Sequence, residues 1–245
     1  MERILKICNV IMFAAMITTN ALSEWLKLGG STIADISNKY TNLFTPAPIT
    51  FAIWGVIYCF VFLFVLEQLS ANSGFSWTIG VLFTLSCMFN IGWVFAWHYD
   101  KIEMSMFFMV GLLLSLIGIV ANMQWITSFQ GVRKATMIMR LSRVGFCIYL
   151  GWICAATIAN ASVLLTKLEW DGFGISPSIW TFAVIIVGAV IGVLFVIMKR
   201  NYWSAAAIVW AYIGILIRHV NTTITLDAIL GIVMIALAGG VMMVW

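Results

Sequence analysis

Charge is scarce in this sequence. Only 9% of its 245 residues are Asp, Glu, Lys or Arg, against about 25% in soluble globular domains. Apolar residues make up 63% and the mean hydropathy is +1.08. A soluble fold of this size could not hide so much apolar surface, so the chain is expected in a membrane. Strict apolar–polar alternation is lacking, which argues against barrel strands, and the apolar runs, about 16 to 25 residues long, suit spanning helices. Motifs for soluble chemistry are missing as well: there is no nucleophile–base pair, Walker loop, dinucleotide fingerprint or zinc spacing. Cys8, Cys59, Cys87, Cys147 and Cys154 fall inside apolar runs without a C-x-x-C pair and read as small apolar fillers kept reduced. His98 and His219 lie in no haem or metal motif, so no metal and no required cofactor is expected. The formal charge of +4 sits in loops and bears on membrane orientation, not on nucleic acid.

Eight spans are predicted, at about 5–22, 50–68, 77–97, 104–124, 143–165, 178–198, 203–220 and 227–245. Arg3 and Lys6 ahead of the first run suggest a signal peptide, but no small-x-small cleavage site follows, so it reads as a span. With the N-terminus in the cytoplasm, the inner loops hold Arg3, Lys6, Arg133, Lys134, Arg140, Arg143, Lys199 and Arg200, eight of the thirteen basic residues. Lys27, Lys39, Lys101, Lys167 and Arg218 fall outside. This bias predicts a multi-pass cell-membrane protein with a cytoplasmic N-terminus, its partners being membrane lipids. Near the outer ends, Arg218 could pair with Asp227 or snorkel to the interface, and His98 stands beside Asp100 in a loop.

Proline is almost absent too. Two of only three prolines stand together in "TPAPITFAIWGVIY", Pro46 and Pro48. Each pushes its predecessor, Thr45 or Ala47, out of helical conformation. The segment should be a stiff approach that fixes the start of the second span, with Thr50 available as a cap. Such an entry would also fix the rotation of Trp54 and Tyr58 about their helix.

Other spans carry related faces. In "SCMFNIGWVFAW", Ser86, Asn90, Trp93 and Trp97 share one helical stripe, and in "YLGWICAATIAN" so do Tyr149, Trp152, Ala156 and Asn160. An amide in hydrocarbon is costly without a partner, so Asn90 and Asn160 should turn inward and take those aromatic rings with them. Trp25, Trp77, Trp97, Trp125, Trp170, Trp180, Trp203 and Trp245 lie near span ends and fit an interfacial belt. Trp54, Trp93 and Trp152 sit deeper, as cavity wall or as helix packing. Gly151, Ala155 and Ala159, and Gly188 with Gly192, are small-xxx-small runs. They serve packing inside the protomer or a homodimer.

At these residues the chain resembles the tryptophan-rich sensory protein family, the TspO/translocator-protein or peripheral benzodiazepine receptor group. "TPAPITFAIWGVIY" matches a proline-containing loop before W-x-x-x-Y on the second helix. "FNIGWVFAW" matches N-x-x-W on the third, and "YLGWICAATIAN" matches Y-L-x-W…A-x-x-x-N on the fifth. The resemblance covers about residues 1–166 and implies an all-α membrane bundle whose first five helices surround a pocket below the first long loop. Residues 167–245 would then add a three-helix membrane region. It also implies a receptor or sensor for a flat hydrophobic ligand, porphyrin-like, sterol-like or drug-like, with a tetrapyrrole entering as ligand. By motif, Trp54, Tyr58, Asn90, Trp93, Tyr149, Trp152, Ala156 and Asn160 are the ligand-binding candidates, and no catalytic or metal residue is assigned. Two alternatives stay open: transport of a small lipophilic solute, and light-dependent porphyrin breakdown, reported for some bacterial members. The loop departs from the family pattern, reading P-A-P where members carry a Pro-Pro stretch followed by an aromatic.

Overall fold

The computed structural model describes residues 1–70, 76–129 and 137–244. Among these the chain is all-α, with nine α-helices and no strand. They are α1 (Glu2–Trp25), α2 (Ile33–Lys39), α3 (Ile53–Leu69), α4 (Trp77–His98), α5 (Ile102–Phe129), α6 (Met137–Lys167), α7 (Pro177–Lys199), α8 (Tyr202–Arg218) and α9 (Thr223–Val244). All but the seven-residue α2 correspond to the eight expected spans. Seven of the helices, α3 being extended by the turn that leads into it, are long and apolar enough to cross a membrane; α8 is a shorter apolar helix of 17 residues, about 25 Å at 1.5 Å per residue. The chain is an all-α multi-pass membrane protein.

Local signals set the ends. Ser76 accepts the Ile79 N–H at the start of α4 (3.4 Å), Pro177 opens α7 and Asn201 caps α8 by accepting the Ser204 N–H (3.1 Å), each satisfying or sparing an orphan helix-start donor. Arg200, in left-handed conformation, ends α7.

The chain forms two compact units. The first holds Met1–Ile33 and Ile53–Leu150; the second holds Ala34–Ala52 and Gly151–Trp245. The contacts divide the chain inside α6 and group Ala34–Ala52, the later part of the first long loop, with the last three helices. In the first unit α4 packs against α1 and α5, and the buried face of α1 runs Asn9, Phe13, Met16, Asn20, Ser23 at helical spacing. In the second unit α7, α8 and α9 pack on one another around Ile185, Ala189, Ile208, Tyr212, Ala228 and Ile235. The Tyr212 hydroxyl, buried in that core, donates to the Ile185 carbonyl (2.5 Å). The small residues act here: a side chain at Gly151 would strike the Ser204 carbonyl, and one at Gly188 the Tyr212 hydroxyl, so both allow close packing within the unit.

The proline segment does more than start a helix. Thr45 to Ala47 are non-helical, and Pro48–Ala52 forms a 3-10 turn leading into α3. The loop docks on α8. The Ala47 N–H donates to the Gly214 carbonyl (2.9 Å), the Trp210 indole to the Thr50 carbonyl (2.9 Å), and Arg218 to Asn38 (2.7 Å) and Thr41 (3.4 Å). Thr50 does not cap α3; its side chain presses on Gly214, where any Cβ would clash. Arg218 thus turns to the loop, and no ion pair with Asp227 occurs among the described residues.

Candidate functional site

Three helices of the first unit bring five of the candidates together. α3 supplies Trp54 and Tyr58, one turn apart and stacked with centroids 5.5 Å apart. From α4, Trp93 lies 6.1 Å from Trp54 and stacks in turn on Trp97 at 5.5 Å. Tyr149, from α6, meets Trp54 edge-on at 5.7 Å. Trp54, Trp93, Trp97 and Tyr149 are all buried. The rings use the offset and edge-to-face arrangements that aromatic quadrupoles favour.

A hydrogen-bonded amide sits in this layer. Asn90, wholly buried, donates to the Tyr149 hydroxyl (2.9 Å) and accepts from the Asn20 amide (2.7 Å); Asn20 also donates to the Met16 carbonyl (2.9 Å). Asn90 thus does turn inward, and α1, α4 and α6 are tied by one polar chain inside hydrocarbon. The Tyr58 hydroxyl is buried with no hydrogen-bond partner.

The remaining candidates belong to the second unit. Trp152 is buried and meets Phe51 edge-on at 6.1 Å. Asn160 is buried and Ala156 half-buried, both on the same helix. This unit also has a narrow apolar crevice bordered by Phe44, Ile158 and Tyr212, with no room for a water molecule.

Sequence reading missed several partners. Asn20, and its counterpart Asn9, stand on the first span; Asn9 donates to Gln68 (2.9 Å) and accepts from Thr84 (2.6 Å). The signal was present, since amides inside an apolar run need partners. Trp210 was likewise overlooked. Trp97 leaves the interfacial belt: it is buried and its indole donates to the Ile33 carbonyl (3.1 Å). His98 is not a loop residue beside Asp100 but the buried last residue of α4, with Glu24 at 3.5 Å. Arg133 and Lys134 lie outside the described residues, as does Trp245. No cluster of three or more metal-ligating side chains occurs among the described residues.

A family model described as TSPO-like protein matches residues 6–243. The match runs through the last three helices as well as the first five. No curated protein and no solved structure matches the chain.

Proposed function

The chain belongs to the TSPO-like protein family, and from that premise we propose that it is a membrane receptor or sensor that binds a flat hydrophobic ligand, a porphyrin-like tetrapyrrole being the leading class. The observation that carries this reading is the aromatic layer of Trp54, Tyr58, Trp93 and Tyr149 around the Asn90 amide. Rings at several angles offer stacking faces, and the Tyr58 hydroxyl offers a polar handle without a present partner. A flat π-ligand would exchange ring–ring contacts for ring–ligand contacts at small net cost. Trp152, Ala156 and Asn160 are further candidates on the following turns of α6. The N-terminus is proposed to be cytoplasmic, supported by Lys199 and Arg200 between α7 and α8 and by Arg140 and Arg143 at the start of α6.

Titration of the detergent-solubilised protein with protoporphyrin in the dark tests the reading. Saturable quenching of tryptophan fluorescence supports a binder. Loss of the porphyrin spectrum only under illumination would assign light-dependent breakdown, and flux across proteoliposomes without saturable binding would assign transport.

A further inference from the structure

The end of α4 carries a buried group that the aromatic layer does not use. The His98 ring is 98% buried as a residue, yet it lies against a carboxylate. Its Nδ1 is 2.8 Å from the Val94 carbonyl. A carbonyl only accepts, so Nδ1 carries the hydrogen and the neutral ring presents a bare lone pair at Nε2. Nε2 faces Glu24 Oε1 at 3.5 Å and has no hydrogen-bond partner. Two acceptors thus confront each other at the margin of a low-dielectric region, where an unmet polar atom is costly.

We propose that Glu24 and His98 form a binding site for a single proton, and that the proton fastens the turn between α1 and α2 onto the end of α4. The proton settles on Nε2, making an imidazolium that donates to Glu24 Oε1 while Nδ1 keeps its bond to Val94. Supply comes from solvent, because the Glu24 side chain is 45% exposed while that of His98 is fully enclosed. The same Glu24 oxygen accepts the Ile33 N–H (2.8 Å), and the Ile33 carbonyl accepts from Trp97. Gly29, at φ +66°, packs so closely that a Cβ there would strike the His98 carbonyl. One proton therefore tightens a knot that joins the last turn of α1, the 28–30 turn and the last turn of α4.

Other charged and titratable groups stand near the pair. α1 presents Glu24, and the turn presents Gly29 backbone with Lys27 just before it. Asp100, Lys101 and Glu103 follow in the chain toward α5. α3 and α6 contribute the Tyr58 and Tyr149 hydroxyls in the layer of Asn90, about two helical turns further in. This inference does not depend on any ligand in the aromatic layer.

The chain has two histidines, so His219→Gln leaves His98 as the single imidazole for ¹⁵N NMR in detergent. At neutral pH the ring is expected as the Nδ1–H tautomer, becoming the doubly protonated form on acidification. Hydrogen-exchange protection of residues 27–33, corrected for intrinsic rates, should rise by about threefold or more as that form appears. Glu24→Gln keeps an acceptor for Ile33 and supplies a permanent donor to Nε2, so its protection should be high and independent of pH. An Nε2–H tautomer at neutral pH would overturn the proposal. So would protection of 27–33 that ignores pH in the wild type, or a pH response that survives Glu24→Gln.

Discussion

Truncating Trp54 to alanine removes the ring at the centre of the aromatic layer. That ring touches Tyr58, Trp93 and Tyr149 at 5.5, 6.1 and 5.7 Å and is only 8% exposed. Each aromatic pair contributes about 0.5–1.5 kcal/mol beyond its buried area, so roughly 1.5–4.5 kcal/mol of ring contacts is lost. In water a buried Trp→Ala costs about 3–5 kcal/mol. Lipid tails are themselves apolar, so the packing part dominates and the lower end of that range is expected for folding. A porphyrin stacked on Trp54 would lose one ring face: about 1 kcal/mol of specific attraction plus the burial of some tens of Å² at about 25 cal/mol per Å². At 1.4 kcal/mol per decade, affinity should weaken by about tenfold or more. Fluorescence quenching by protoporphyrin measures it, with the thermal midpoint recorded on the same samples. Trp203→Ala is the control, since Trp203 is 53% exposed. Unchanged affinity in a folded Trp54→Ala protein would mean that these rings are packing alone, and the receptor reading would lose its support.

Asn20→Leu should leave the Asn90 oxygen without its donor and lower stability by about 0.6–2 kcal/mol, whereas Asn20→Leu with Asn90→Leu should cost less than the sum of the two; thermal unfolding in detergent gives this cycle. Gly214→Val should push the Thr50 region off α8, costing about 1–3 kcal/mol as overpacking does and raising proteolysis between residues 41 and 52. Burial lowers the pKa of His219, the Thr45 backbone opposes that shift, and the Arg218 charge adds to it. Its folded pKa therefore lies below the unfolded 6.5, so this contribution to stability is complete above pH 6.5 and is lost as pH falls further. His219→Gln should flatten the fall in thermal midpoint between about pH 6.5 and 5. With the native cysteines replaced, a cysteine at Arg200 should resist an impermeant thiol reagent in intact cells while one at Phe173, on the opposite side in the proposed topology, reacts; the reverse pattern would invert the orientation.

The helices were legible because their signal is one of composition. Runs as apolar as those of α3 and α7 need no partner to be identified, and their ends fell within a few residues of the observed ones. The Asn90, Trp93, Trp97 stripe was legible from helical spacing. The partners of that stripe were not, because periodicity fixes which residues share a face and not which face of another helix they meet. Asn20 carried a polar signal of its own, but only packing shows that its amide reaches Asn90, 70 residues away. Trp97 and His98 were misread for a related reason. Position near a span end suggests an interface, while the turn through Gly29 folds back and covers both. The docking of the proline loop on Gly214 rests on contacts more than 160 residues apart and left no local trace.

The most direct measurement is photo-crosslinking with a porphyrin that carries a photoreactive group, followed by peptide mapping. Labelling is expected on residues 54–58 of α3, on 90–97 of α4 and at Tyr149 of α6, and to be displaced by excess protoporphyrin. Labelling confined to exposed apolar positions such as Leu226 and Leu237 of α9, and indifferent to competitor, would show partition into the lipid-facing surface and contradict a site built on Trp54, Asn90 and Tyr149.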